Sequence, residues 1–195
     1  MHVLLVYSHP RSDSFCAALR DAAIAALKAA GNTVELCDLY AEGFAPALSG
    51  EERDRYYDEG TNLSGIESHV AALQRAEALL FVYPTWWFGL PAMLKGWLDR
   101  VWVPGVAFRL GGPGVLRPLL TNIHRIGVIT TYGSPRWLLW LAGWPDWLLV
   151  RRGLRPLCAR GCRVEWIFLT RMDTCTTPER EQFLAHVRAR LSRWR

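Results

Sequence analysis

Cysteine is scarce and badly placed for chemistry: five in 195 residues (Cys16, Cys37, Cys158, Cys162, Cys175), with no Cys-x-x-Cys pair. An odd set of this kind excludes a disulfide framework. The step from Cys158 to Cys162 is interrupted by Gly161 and has no histidine nearby, so no metal centre is expected. The N-terminus shows no charged segment leading into a long apolar one; it begins directly with a short strand, and with reduced cysteines this points to the cytoplasm. Also missing are Gly-x-Gly-x-x-Gly after the first strand and Gly-x-x-x-x-Gly-Lys-Ser/Thr anywhere, the residues that define Rossmann and P-loop phosphate sites. Local sequence offers no Ser-His-Asp or Cys-His arrangement, which sets hydrolases aside. Internal repeats and low-complexity tracts are absent too.

What is present is a globular composition, 51% hydrophobic and 21% charged, of a length that suits a single domain over residues 1–195. A formal charge of +5 invites a nucleic-acid partner, but the basic residues are scattered, gathering only at Arg151–Arg155 and Arg188–Arg195, and no nucleic-acid module accompanies them. No nucleic acid is expected; a solvated face, or attraction for an anionic cofactor or anionic lipid, explains the excess as well. Ten tryptophans are the anomaly, because tryptophan favours interfaces and ligand walls over complete burial.

Strand and helix signals alternate through the chain. His2–Tyr7 is a short apolar strand, and Ser12 or Ser14 caps a helix that runs through Ala29 and stops at Gly31-Asn32. Thr33–Cys37 is a second strand. Tyr40 to Gly65 is polar and read chiefly as connection, Ile66–Ala76 as a helix, and Ala78–Val82 as a buried strand. A helix spans Pro91–Trp102, the glycine- and proline-rich Gly105–Pro118 is a loop, and Arg125–Thr130 is the fourth strand. A tryptophan-rich helical region covers Trp137–Leu157, Arg163–Leu169 is the fifth strand, and Thr177-Pro178-Glu179 opens the last helix with Thr177 as the capping hydroxyl. The pattern gives an α/β class: a flavodoxin-like, five-stranded parallel sheet in the order 2-1-3-4-5 with helices on both faces.

In that order the ends of strands one, three and four lie side by side. They gather Ser8 to Phe15 before a helix N-terminus, which suits a phosphate; the aromatic loop Pro84-Thr85-Trp86-Trp87-Phe88; and Thr130 to Ser134, small enough for close backbone approach. Three consecutive aromatics on a loop of this kind call for a flat ligand. A phosphorylated planar heterocycle fits the three together, and among these a flavin fits best.

The chain resembles the flavodoxin-like NAD(P)H:quinone oxidoreductases, a family that includes ancillary subunits of bacterial potassium-efflux systems. The resemblance runs through Ser8-His9-Pro10 to Ser14-Phe15, through Pro84 to Trp97 almost throughout, and through Thr130-Thr131-Tyr132-Gly133-Ser134. It implies that His9, Ser14 and Phe15 contact the phosphate or adenine side of the flavin, that Pro84, Thr85, Trp86, Trp87 and Phe88 wrap its ring, and that Thr130, Thr131, Tyr132 and Gly133 line its other edge. It further implies FAD, with FMN as the alternative, NAD(P)H as co-substrate, a quinone or similar acceptor, and a homodimer. The family's tyrosine and histidine shortly after the Thr-Thr-Gly-Gly loop have no counterpart in Ser134 to Trp144, so backbone amides or Tyr132 are left to compensate negative charge on the cofactor, with Tyr132 and Gly133 as the catalytic pair. Tyr132, in place of a glycine, is expected to narrow the pocket.

Two other readings stand beside the two-electron enzyme. One is a regulatory flavoprotein subunit of a membrane transport system with little turnover; the other, disfavoured by the basic charge, is a one-electron carrier. Trp137 to Val150, followed by Arg151-Arg152, is too short and too interrupted at Pro145-Asp146 to span a bilayer. It is read as dimer contact and pocket wall in preference to a peripheral contact with the inner membrane or a transporter.

Overall fold

The computed structural model describes residues 1–112 and 115–194. In chain order the elements are β1 (His2–Tyr7), α1 (Phe15–Ala29), β2 (Thr33–Asp38), α2 (Gly50–Asp54), α3 (Glu67–Arg75), β3 (Ala78–Pro84) and α4 (Ala92–Val101). Then follow β4 (Phe108–Leu110), β5 (Leu116–Pro118), β6 (Arg125–Thr131), α5 (Arg136–Leu141), α6 (Pro145–Leu148), β7 (Arg163–Leu169) and α7 (Thr177–Leu191).

Five of the strands form one parallel sheet in the order β2-β1-β3-β6-β7, the expected 2-1-3-4-5 once the two short strands β4 and β5 are set aside. Every residue of β3 is buried, as a central parallel strand covered on both faces requires. The pleat sends alternate residues to opposite sides. Leu4, Val6, Leu79, Phe81, Ile126 and Val128 meet α3 and α4 through Val70, Leu73, Leu94 and Trp97. Val3, Leu5, Leu80, Val82 and Ile129 meet α1 and α7 through Leu19, Ala23, Leu27, Phe183 and Val187. Two apolar cores result, one per face of the sheet.

Two expectations need correction and a third gains detail. Gly105–Pro118 is not all loop: Phe108 pairs with Pro118 and Leu110 with Leu116 in an antiparallel ribbon, whose strands of three residues are too short to leave an alternating pattern; Pro113 and Gly114 lie outside the described residues. The tryptophan-rich region from Trp137 to Leu157 is helical, as expected, but in several pieces. Gly143 and Trp144 both take left-handed conformations, with φ of 78° and 51°, and end α5 before Pro145 restarts the chain as α6. A π-helical turn, Leu149–Leu154, and a 3-10 turn, Arg155–Leu157, complete the segment. The last helix is capped by Thr176 rather than Thr177, since the Glu179 carboxylate closes the capping box back onto the Thr176 amide at 2.8 Å.

The polar stretch after β2 carries one short helix, α2, whose Ser49 and Glu52 form a capping box. Glu52 also pairs with Arg100 of α4, which ties this connection to the body of the protein. On the same helix Gly96 lies against Pro46 so closely that a Cβ would overlap the Pro46 backbone. Gly96→Ala is therefore expected to lower the unfolding free energy by about 1–3 kcal/mol through overpacking, despite alanine's better helix propensity, as read by urea denaturation.

Candidate active site

The sheet order reverses between β1 and β3, so the chain leaves these neighbouring strands in opposite directions and opens a crevice at their carboxyl ends. β6 extends it: Pro84 stands opposite Thr131 in register, and the Thr85 amide donates to the Thr131 carbonyl at 2.9 Å, carrying the pairing past the strand ends. A cleft of about 860 Å³ lies over these ends.

From β1, the Ser14 hydroxyl accepts from the Ala17 amide at 3.1 Å and caps α1; Ser14, not Ser12, is the cap. The first amides of the helix have no intrahelical acceptor, and no acidic residue occupies the first turn to offset the positive end of the dipole. His9 stays local, its Nδ1 accepting from the Arg11 amide at 3.1 Å while its ring stands 6.2 Å from that of Trp86.

From β3, Trp86 and Gly89 exchange two backbone hydrogen bonds, of 3.2 and 3.0 Å, around a tight turn. Its central residues are Trp87 and Phe88, both left-handed at φ 52° and 60°. Turns of this hand normally take glycine or asparagine, because a side chain there costs about 1–2 kcal/mol. The strain holds aromatic rings where burial does not: Trp87 is 97% exposed and Trp86 44%.

From β6, Tyr132 is nearly buried, with Trp144 and Phe168 edge-on to its ring at 5.8 and 5.9 Å. Its amide donates to Leu169 and its carbonyl accepts from Met172. Gly133 follows, and a Cβ there would lie 2.6 Å from the carboxylate end of the exposed Asp173 side chain. The Tyr132 hydroxyl does not stand free in the cleft as a narrowing group; it donates to Asp146 at 2.8 Å.

The structure brings His9, Ser14, Phe15, Pro84, Thr85, Trp86, Trp87, Phe88, Thr131, Tyr132 and Gly133 to the wall of one cleft. Thr130 is not on that wall. It is fully buried behind it, its hydroxyl 2.8 Å from that of Thr85. Sequence reasoning missed Cys16, Leu139, Met172 and Asp173, which also line the cleft, and Asp146, which sits behind it. Asp146 did leave a signal: it is the only charged residue between Arg136 and Arg151. Met172 and Asp173 left none, since only the β6–β7 pairing carries the segment after Leu169 to the cleft.

Burial pushes the Cys16 thiol up to about 12, which leaves it protonated and inert at neutral pH. Burial also raises the hydroxyl of Tyr132, followed by the negative charge of Asp146 and the hydrogen bond to it. Away from the cleft, Cys37, Glu42 and His69 come together, with Cys37 Sγ 3.4 Å from His69 Nδ1 and 3.7 Å from Glu42 Oε2. Burial raises that thiol as well, with Glu42 adding to the effect.

The left-handed turn yields a test. Surface substitutions ordinarily change stability by less than about 0.5 kcal/mol, yet Trp87→Val is expected to cost about 1 kcal/mol or more because a β-branched residue resists positive φ, while Trp87→Gly is expected to cost nothing. Chemical denaturation of the two variants reads the difference.

Residues 1–152 match the family described as having a flavodoxin-like fold. The chain is 36% identical over 126 residues to ribosyldihydronicotinamide dehydrogenase (quinone) of Pongo abelii, covering 56% of this chain and 54% of that protein. Against the human protein of the same name it is 30% identical over 165 residues, covering 71% of each. The NAD(P)H:quinone oxidoreductase structure from Methanothermobacter marburgensis superposes with a TM-score of 0.82 at 29% identity, covering 100% of this chain and 99% of that one. The chain spans about half the length of the first curated relatives it matches, 54%, 54% and 44% of them. With its strand order, its crevice and the match over residues 1–152, the chain belongs to the flavodoxin-like fold family.

Proposed function

We propose that this protein is a flavin-dependent NAD(P)H oxidoreductase that passes hydride to a quinone or a similar two-electron acceptor. One observation carries the reading: a capped helix N-terminus, a strained aromatic turn and a close-packed glycine loop converge on a single cleft of about 860 Å³, within the range of small-molecule sites. These residues fit a flavin. The free amides at the start of α1 and the Ser14 cap suit its phosphate, while Trp86, Trp87 and Phe88 offer ring-sized surface to its heterocycle. The relatives named as quinone dehydrogenases favour the enzyme over a regulatory subunit.

When bound, the flavin supplies a hydride carrier between a dihydronicotinamide and a quinone. The chain supplies orientation and electrostatics. Trp87, almost wholly exposed, and Leu139, buried, both line the space where the two substrates would alternate. Of the two residues proposed as catalytic, Tyr132 has its amide committed to Leu169; the amide of Gly133 has no acceptor among the described residues and is the donor left to meet negative charge in the cleft.

The cleft accounts for an FMN-sized unit. FMN is bound on the same fold by the Bacillus anthracis azoreductase and the Treponema denticola general stress protein 14, at 16% and 18% identity. An FAD reading adds an adenosine half, and a second cleft of about 600 Å³ adjoins the first, where Phe15 meets Phe183 at 6.4 Å. Mass spectrometry of released cofactor decides between them.

No helix among the described residues is long and apolar enough to cross a membrane. Trp137, Trp140 and Leu141 of α5 are 67%, 75% and 68% exposed beside Leu139 of the cleft wall. We assign this face to a second copy of the chain, completing the site as a homodimer, rather than to a peripheral membrane surface. Trp140→Glu is expected to shift the sedimentation coefficient to that of a monomer. Flotation with anionic liposomes at low salt, unaccompanied by dimerisation, would assign the face to lipid instead.

Titration of the protein with FMN and FAD is expected to give a stoichiometric yellow complex that NAD(P)H bleaches without oxygen and that turns over with a soluble quinone. Trp86→Ala is expected to weaken the complex about tenfold. A colourless protein that takes up neither nucleotide rejects the proposal, and bleaching without turnover rejects the enzyme.

A further inference from the structure

Asp146 is a buried acid without a cation. It is 2% exposed, and no lysine, arginine or histidine nitrogen lies within 4.0 Å of it among the described residues. Its Oδ1 accepts from the Trp147 amide at 2.9 Å, and its Oδ2 accepts from the Tyr132 hydroxyl at 2.8 Å and the Thr85 hydroxyl at 3.0 Å. An ionised carboxylate only accepts, so both hydroxyls must donate to it. Thr85 has one proton and has spent it on Asp146, so the 2.8 Å contact between Thr85 and Thr130 runs from Thr130 to Thr85. The ordered chain of donors joins the ends of β3 and β6 to α6, and its terminus is the one group that can change charge at moderate pH.

Thr85 and Tyr132 both line the cleft, which places Asp146 one hydrogen bond behind its wall. We propose that Asp146 is a positioning residue that couples a proton to the redox cycle: ionised, it holds Thr85 and Tyr132 in place as donors to Oδ2, and when negative charge enters the cleft it takes up a proton at Oδ1, which among the described residues accepts only from the Trp147 amide. The proposal rests on the flavin reading. Hydride brings an electron pair and one proton, leaving one negative charge in excess; the proton taken by Asp146 comes from solvent and returns there when the hydride leaves for the acceptor. No further oxidant or reductant is needed. The carboxylate thus moderates charge where the family's tyrosine and histidine are missing.

The neighbours make that uptake available. Burial raises the carboxyl above its ordinary value, opposed by the hydroxyls of Tyr132 and Thr85 and by the Trp147 amide. The titratable groups that face it are the phenols of Tyr132 and Tyr83, both raised far beyond neutral pH by burial and neutral throughout. Among the described residues the Tyr83 hydroxyl, fully buried, has no partner at hydrogen-bond distance. A folded-state value above the unfolded one means that the contribution of Asp146 to stability is complete below the ordinary carboxylate value and is lost as pH rises through the raised one.

Asp146→Asn keeps the shape and removes the titration. With the flavin bound, the potential of the wild-type protein is expected to fall more steeply with pH above a break that the variant lacks, and the variant is expected to take up about one proton fewer on reduction in that interval. Without flavin, the thermal midpoint of the wild type is expected to fall relative to the variant over the range in which the carboxyl ionises. Tyr132→Phe removes one donor and is expected to move the break to higher pH, which also serves if Asp146→Asn does not fold. Coincident potential–pH curves for wild type and Asp146→Asn, or a break unmoved by Tyr132→Phe, overturn the proposal while leaving the flavin reading intact. Failure of the wild type to bind any flavin is the separate result that removes the reading beneath it.

Discussion

The register between β3 and β6 is the constraint on which the site depends. With Pro84 fixed opposite Thr131 and the Thr85 amide bonded to the Thr131 carbonyl, the aromatic turn and the glycine loop leave the sheet together. A slip of one residue would turn over the faces of the strand that moved, exchanging the side chains it gives to the two cores and so disturbing both at once. The apolar packing of the sheet thereby sets the geometry of loops that carry little burial of their own.

The cleft itself departs from ordinary stability rules. Two adjacent aromatic residues adopt positive φ, one of them almost wholly in solvent, and an acid lies buried with no counter-charge among the described residues. Each feature costs free energy locally and is offset by the two cores that clamp the strands. Such departures cluster at functional sites because a ligand, rather than the fold, gains from them. The aromatic turn has its rings held open toward the cleft, and the acid has its donors ordered around a group that can exchange a proton.

The tryptophan-rich segment shows how one stretch serves two sides. Leu139 faces the cleft, Trp144 packs on Tyr132 and Phe168, and Asp146 anchors the donor chain. Trp137 and Trp140 face outward. The break at Gly143 and Trp144 makes this possible: a continuous helix would carry the rest of the segment on along the axis of α5, whereas the left-handed turn folds Asp146 back beneath the wall.

Much of the fold was legible from composition along the chain. Apolar runs named all five parallel strands, and their alternation with helices suggested the doubly wound order. The aromatic loop stood out because burial could not account for three successive rings, the three converging loops pointed to a flavin, and the resemblance of Pro84 to Trp97 added a nicotinamide co-substrate and a quinone-like acceptor. The rest belonged to tertiary structure. β4 and β5 are too short to carry a period, and Met172 and Asp173 reach the cleft only because β7 pairs with β6. The commitment of the Tyr132 hydroxyl to Asp146 joins residues on two elements separated by a left-handed turn. Periodicity reports which face of an element is apolar, so it determines sheets and helices; it carries no information on where a polar group finds its partner across the fold, and that partnership decided the electrostatics of the site.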